Sequence, residues 1–311
     1  MSRPSVSASG PNPETAEAYT RPRDPEAIAI AGGVSAAAVS LRNEVDTQKR
    51  CLPEVALRVL ESINRDVATG ESLERELAGD PFVTAQILSV ANSALFGAGS
   101  EVVSVRQAVV RVGLATVRDL VMLVVTQSTM FRIPGFDAQV EMLRRRSVAT
   151  AVAARAVAKI IGKHADFAFL SGLLHDIGHL LILERAAKIG VLTPAVLKRP
   201  ELLMVALEQS AAFHNDVGAA VCDAWGLPQA VTHAVWHHHD FKTSDHYCVP
   251  GHLMAVADLI ADHMGVGVKP TPLELNHPWC KDLGLTPVSV KAAIEEAESQ
   301  FPQILSASRR R

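Results

Sequence analysis

The stretch that decides the fold is FAFLSGLLHDIGHLLIL, residues 167–183. It is apolar at almost every position, and this pattern predicts a buried helix. His175 and Asp176 stand in the middle of the run. Burying two such polar groups without partners costs several kcal/mol. They therefore need a hydrogen-bond partner, a counter-ion or a metal ion from elsewhere in the chain.

The same helical character extends through most of the 311-residue chain. Apolar residues recur at helical spacing from about Leu52 onward, and no alternating pattern typical of a strand appears. Asp80-Pro81 has the form of a helix start, with a capping aspartate followed by proline. The sequence therefore predicts an all-α fold. Single helices are expected over residues 201–225 and, near the C-terminus, over residues 288–299.

The two ends of the chain differ from its centre. Residues 1–45 are rich in Ser, Pro, Ala and Glu, so we expect a disordered tail with at most a loose helix over residues 27–41. The main domain is expected over residues 46–265, with halves at 46–135 and 136–265 that meet near the break at Gly135. Residues 266–311 then form a C-terminal extension with a short helix and a basic tail, SRRR.

Composition excludes several classes of protein. Hydrophobic residues make up 48% and charged residues 20%, which excludes wholesale disorder. The formal net charge of -3 argues against a broadly basic nucleic-acid binder. No apolar run reaches the roughly 18 to 20 residues of a membrane helix, and no signal-peptide pattern opens the sequence. The four cysteines form no CxxC pair, which favours a reducing, cytoplasmic location.

The candidate chemistry lies in the second half of the chain. All 12 histidines fall between His164 and His277, and histidine is the commonest metal ligand and general base. His214, His238 and Asp258 also stand within or at the end of apolar helical segments. A buried aspartate such as Asp258 needs a cation or several hydrogen-bond donors. Together they suit a nitrogen-and-oxygen site for a divalent metal such as Fe, Mn, Mg or Zn. The candidate metal ligands are His175, Asp176, His214, His238, His239 and Asp258.

The motifs around these residues resemble those of the HDOD family, a relative of the HD superfamily of metal-dependent phosphohydrolases that is found in bacterial signalling proteins. The resemblance covers residues 50–265 and implies an HD-like helical bundle preceded by an N-terminal helical subdomain. It also implies a role in signal transduction without one established reaction. Its motifs are LPEV at 52–55, ILSVANSALFG at 87–97, SVRQAV at 104–109, GLLHDIG at 172–178, Glu208, His214, WGLP at 225–228, His238-His239 and Ala257-Asp258.

One position departs from the catalytic relatives. The resemblance places their first metal ligand, a histidine on an earlier helix, at Arg146. A guanidinium stays protonated and has no lone pair for a metal. If Arg146 points inward, it can neutralise Asp176 or Asp258 in place of an ion. If it points outward, a weak ion could still bind. The implied degenerate site consists of Arg146, His175, Asp176, Glu208, His214, His238, His239 and Asp258.

The sequence therefore favours a non-catalytic, cytoplasmic regulatory protein without a cofactor. We expect it to act by binding a partner protein or a small phosphorylated ligand such as a nucleotide. The alternative is a divergent metal-dependent phosphohydrolase or phosphodiesterase acting on nucleotides. Cyclic-dinucleotide hydrolysis is not expected, because Phe241 and Lys242 stand where such relatives carry Gly-Tyr-Pro. Neither a membrane nor a nucleic acid is expected as a partner, and His179 is expected to support the site by packing.

Overall fold

The computed structural model describes residues 24–44, 52–65, 67–93, 100–127, 133, 135–243, 246–266 and 271–308. In these ranges the chain is helical with short connections, and the extended pairing found there is an isolated bridge between Lys242 and Tyr247. The predicted all-α fold is confirmed.

The helices form two groups that share one hydrophobic core. The N-terminal group is α2 (Glu54–Asn64), α3 (Gly70–Leu77), α4 (Pro81–Ala91) and α5 (Val105–Gln127). The second group is α6 (Asp137–Ile161), α7 (Ala165–Leu174), α8 (Ile177–Lys188), α9 (Pro194–Leu197), α10 (Pro200–Ala211), α11 (His214–Ala224), α12 (Gln229–His237) and α13 (Val249–His263). Three further helices flank them: α1 (Pro25–Asn43), α14 (Pro278–Asp282) and α15 (Pro287–Ala307).

Local sequence explains several helix starts and breaks. Asp80 caps α4 as predicted: its carboxylate accepts a hydrogen bond from the Val83 amide at 3.0 Å, and Pro81 fills a first-turn position where no amide hydrogen is needed. Gly113 has φ +82° inside α5, a left-handed value that glycine adopts without strain. The non-helical backbone at Gly113 thus divides α5 into two helical segments that meet at a kink.

The region predicted as a tail contains a helix. Residues 25–43 form α1, which begins at an Asp24 cap and buries one face against α8, α10 and α11. Half of the buried side chains are alanine, which contributes little to an apolar pattern but allows close packing. The helix that the sequence allowed over residues 27–41 is therefore present as part of the packed fold, while residues 1–23 of the predicted tail lie outside the described residues.

Two helices predicted as continuous are each divided. Residues 167–183 split into α7 and α8 at His175-Asp176, and residues 201–225 split into α10 and α11 before His214. Gly178 explains how the two breaks meet. A Cβ there would lie 2.1 Å from the His214 carbonyl oxygen, so only glycine lets the start of α8 touch the start of α11. These breaks bring the polar residues of both segments together.

The C-terminal helix is longer than predicted. α15 spans 21 residues instead of residues 288–299 and packs along α6. Arg145 lies over the ring of Phe301 at 5.5 Å from its centroid, on the side of α6 that faces α15. The arginines of the predicted basic tail lie outside the described residues.

Within the described residues, the segment 165–188 is long and apolar enough to cross a membrane by length and composition. However, 83% of its most apolar 18-residue window is buried inside the protein. The segment is also divided by the break at His175-Asp176. Its burial is that of a core segment.

Candidate functional site

The break between α7 and α8 lies in a group of buried polar side chains in mutual contact, here termed the polar cavity. Asp176 lies at its centre, with α6 and α13 on one side and the start of α11 and the end of α12 on the other. Arg146, His175, Asp176, His214 and His238 are all at most 9% exposed. The cavity therefore has an arginine side, next to α6 and α13, and a histidine side, next to α11 and α12.

On the arginine side, Arg146 points inward and contacts three carboxylates. Its Nε lies 3.4 Å from Asp176 Oδ2, its Nη1 lies 2.5 Å from Asp262 Oδ1, and its Nη2 donates to Asp258 Oδ2. Each guanidinium nitrogen thus faces its own carboxylate. These carboxylates raise the pKa of Arg146 despite the opposing effect of burial. Thr150 adds a hydroxyl 3.3 Å from Asp258 Oδ1.

His175 joins the two aspartates of the motif. Its Nε2 lies 3.1 Å from Asp176 Oδ2 and 3.3 Å from Asp258 Oδ1, within ion-pair distance. Neither oxygen is aligned for a full hydrogen bond, so this buried nitrogen is incompletely satisfied. Burial would lower the pKa of His175, but Asp176 and Asp258 raise it to about 10. Burial likewise opposes ionisation of Asp258, yet His175 and Arg146 lower its pKa to about 2.

On the histidine side, His214 and His238 have the same orientation. The Nδ1 of His214 lies 2.7 Å from the Ala211 carbonyl, and that of His238 lies 2.8 Å from the Val235 carbonyl. A carbonyl only accepts, so each Nδ1 carries a hydrogen and each Nε2 of the neutral ring carries a lone pair. The two Nε2 atoms face each other at 3.2 Å. Two lone pairs at this distance require a proton or a cation between them.

The donor set on the histidine side fits a divalent metal ion. His214 Nε2 and His238 Nε2 lie 3.4 and 3.7 Å from Asp176 Oδ1. Ligand atoms about 2.1 Å from one tetrahedral ion are separated by roughly 3.4 Å. With the 3.2 Å nitrogen pair, the three donors therefore form a triangle of suitable size. Backbone carbonyls at Nδ1 are also the usual partners of metal-binding histidines.

The arginine side does not fit a second ion, because Arg146 already supplies a positive charge to its carboxylates. A guanidinium about 4 Å from a divalent ion would repel it by roughly 8 kcal/mol at an effective dielectric of 20. Asp258 and the Oδ2 atom of Asp176 therefore serve as ion-pair partners of Arg146.

The other predicted site residues lie at the edge or outside. His239 is exposed, with its ring 4.1 Å from the ring of His238 and 5.2 Å from that of His214. Its imidazole belongs to a group of potential ligands with His214 and His238. Glu208 is exposed on α10 and does not join this group.

Sequence reasoning missed Asp262 and expected His179 to support the site by packing. Asp262 follows Asp258 by four residues on α13, a spacing that places both on one helix face and was available in the sequence. His179 stacks on His214 at 4.2 Å and its Nδ1 lies 2.8 Å from Ser210 Oγ. It also lies in a group of potential ligands with Asp176 and His214. No sequence signal connects Ser210 to His179.

Comparisons with solved structures agree on the fold. A protein of Shewanella amazonensis SB2B, provisionally named a metal-dependent phosphohydrolase, has a TM-score of 0.64 at 22% identity, over 89% of this chain and 100% of that one. An HDOD domain protein of unknown function from Geobacter sulfurreducens has a TM-score of 0.60 at 22% identity, over 83% and 91%. A protein of Marinobacter aquaeolei VT8, provisionally named a signal transduction protein, has a TM-score of 0.63 at 21% identity, over 89% and 65%.

Comparisons of sequence identify the family. The chain is 26% identical over 226 residues to an uncharacterized protein of Treponema pallidum (strain Nichols). The match covers 70% of this chain and 42% of that protein, so the chain spans about two fifths of its relative's length. The family model described as the HDOD domain matches residues 50–241, which is well over half of the 311 residues. The chain belongs to the HDOD domain family.

Proposed function

We propose that this protein is a non-catalytic, cytoplasmic regulator that acts in signal transduction by binding a partner protein. The observation that carries the proposal is the inward Arg146, whose guanidinium contacts Asp176, Asp258 and Asp262. Asp176 and Asp258 are the carboxylates that the family resemblance assigns to the metal. Here their counter-ion is part of the chain and cannot be exchanged.

The charge balance of the cavity supports this proposal. Three carboxylates face Arg146 and a His175 whose pKa of about 10 keeps it protonated near neutrality. Two positive charges thus oppose three negative ones, which leaves a net charge of about -1 for these five groups. A site of this kind holds its helices together without a bound ion, as expected for a binding domain.

The same balance favours a protein partner over a phosphorylated ligand. Phosphate recognition uses free guanidinium or ammonium groups. Each nitrogen of Arg146 already faces a carboxylate, and the side chain is buried. The net negative cavity would repel a phosphate. A nucleotide or other phosphorylated ligand is therefore the weaker version of the proposal.

The alternative function is a divergent metal-dependent phosphohydrolase acting on nucleotides, and one observation favours it. Asp176, His214 and His238 form a donor triangle that fits one divalent ion. A metal held there would supply Lewis-acid activation of a phosphate and of a bound water. His179 and the exposed His239 would stand beside it as proton carriers or further ligands.

Substitution of Arg146 separates the two functions. Wild type, Arg146→His and the control Arg145→His are purified with Fe, Mn, Mg or Zn, analysed for bound metal, and assayed for phosphomonoester, phosphodiester and nucleotide hydrolysis. Arg145 neighbours Arg146 but faces Phe301, so it tests for nonspecific effects of the exchange. We expect no metal-dependent turnover in wild type or Arg145→His, and added metal binding in Arg146→His. Robust wild-type turnover that disappears in Asp176→Ala would overturn the proposal.

A further inference from the structure

Helix α1 lies directly behind the histidine side of the cavity. It packs on α8, α10 and α11, the helices that carry His179, Ser210 and His214. Its buried face is continuous along the helix and faces these three elements. The residues of that face are Ala27, Ile30, Val34, Ala37, Ala38 and Leu41.

A first polar contact connects α1 to the support of His179. Gln209 on α10 donates a hydrogen bond to Ser35 Oγ of α1 at 2.7 Å. The next residue, Ser210, points to the other side of α10 and lies 2.8 Å from His179 Nδ1. By holding α10 in place through Gln209, α1 therefore also holds Ser210 in the place where it contacts the His179 ring.

A second polar contact connects α1 to His214. Arg42 Nη1 lies 3.4 Å from Asp216 Oδ2, in the first turn of α11. His214 begins the same turn and stacks on His179 at 4.2 Å. Both ends of this stacked pair are thus supported from behind by α1.

The sequence of α1 makes its helical state depend on this packing. Gly32 and Gly33 stand in its middle, and glycine is the weakest helix former after proline. The two glycines have different surroundings. A Cβ at Gly33 would lie 2.5 Å from Val191 Cγ2, in the turn after α8, whereas a Cβ at Gly32 meets nothing within 4 Å. Close approach to the domain therefore requires glycine at position 33 only.

We propose that the groove formed by α8, α10 and α11 is a helix-docking surface, occupied here by α1, and that docking of α1 sets the positions of His179 and His214. When α1 leaves the groove, α10 loses its contact with Ser35 and α11 loses its contact with Arg42. The imidazoles of His179 and His214, which these two helices hold in place, then reposition. The arginine side, formed by α6 and α13, keeps its ion pairs. α1 thus connects the N-terminal segment of the chain to one side of the cavity. The inference holds whether the cavity binds a partner or a metal.

Two adjacent substitutions test this inference. Gly33→Val places a side chain against Val191, and Gly32→Val is the matched control in the same helix. Amide hydrogen exchange of residues 24–44 and the imidazole NMR signals of His179 and His214 are measured well below the unfolding temperature. In Gly33→Val we expect α1 to exchange about 100-fold faster, and both imidazole signals to shift. In Gly32→Val we expect exchange within about 2-fold of wild type and unshifted signals.

The remaining outcomes each decide the question. Adding Val191→Ala to Gly33→Val should restore part of the protection, because it removes the colliding methyl groups. A dimer formed by Gly33→Val, in which α1 of one copy fills the groove of another, would also support a docking surface. Fast exchange of α1 with unshifted His179 and His214 signals would overturn the coupling between α1 and the imidazoles. Uniformly faster exchange of the whole domain would overturn the docking inference, because α1 would then be an inseparable part of the core. Should Gly33→Val not fold, Ser35→Ala with Ser40→Ala and Arg42→Ala removes the contacts of α1 with Gln209, Arg185 and Asp216 without added bulk, and faces the same criteria.

Discussion

Arg146→Met is the substitution that tests the charge balance of the cavity most directly. Methionine keeps much of the aliphatic volume of Arg146 but leaves Asp176, Asp258 and Asp262 without its charge. Two unit charges about 4 Å apart interact by roughly 4 kcal/mol at an effective dielectric of 20. Three such contacts are partly offset by the cost of burying the guanidinium. Removing one partner of a buried ion pair costs about 3 to 5 kcal/mol, and we expect a loss of stability in this range near pH 7.

Denaturant unfolding of Arg146→Met and of the control Arg145→Met measures this loss. Arg145 is exposed and lies over Phe301, a contact worth about 0.5 to 1 kcal/mol. The difference between wild type and Arg146→Met should also shrink with falling pH. In the variant the carboxylates lose their cation, so their folded-state pKa values rise and protonation on acidification relieves the repulsion. A loss below about 1 kcal/mol near pH 7, or one that grows with acidification, would refute the assigned charge balance.

Further predictions follow from the same cavity. The pKa of Asp258 is lowered to about 2, below its unfolded value, so about 2 kcal/mol of stability is present above pH 4 and lost as the pH falls towards 2; unfolding of Asp258→Asn should lack this pH dependence. Gly178→Ala should destabilise the chain by about 2 to 3 kcal/mol and move His214, because its Cβ would meet the His214 carbonyl; Gly32→Ala, whose Cβ meets nothing, should cause no loss in the same denaturation series. EDTA should change the wild-type melting temperature by less than about 1 °C but lower that of metal-loaded Arg146→His, as judged by calorimetry.

Sequence patterns predicted the fold class and most of the polar residues of the cavity. Asp80-Pro81 gives an explicit helix start, and His175-Asp176 is conspicuous because it interrupts an apolar run. The division of that run into α7 and α8 was not predictable from its pattern, since apolar residues continue on both sides of the break. The break depends on tertiary contact: glycine at position 178 lets α8 meet the carbonyl of His214, which lies 36 residues further along the chain.

Helix α1 shows a different limit of sequence patterns. Its buried face contains alanine at three of six positions, so its apolar signal is weak in a segment rich in Ser, Pro and Glu. Small side chains bury little area each but allow a close helix contact, and the gain appears only when α8, α10 and α11 are already assembled. Glu208 was placed in the predicted site by the family motif, but it is exposed on α10. A motif match does not indicate which face of α10 turns towards the cavity.

The two sides of the cavity differ in what holds their helices together, and this difference indicates where the domain can change shape. On the arginine side, α6 and α13 are joined by ion pairs of Arg146 with Asp258 and Asp262, and separating them would expose unpaired buried charges. On the histidine side, burial and the neighbouring imidazole of His179 lower the pKa of His214. A neutral His214 that faces His238 through opposed nitrogens contributes little attraction unless a proton or a metal lies between them. Apart from the hydrogen bond from Asn215 Nδ2 to the Trp236 carbonyl at 3.1 Å, the polar groups between α11 and α12 therefore attract each other less than the ion pairs between α6 and α13. Docking of α1 on α11 would restrain this more weakly joined side.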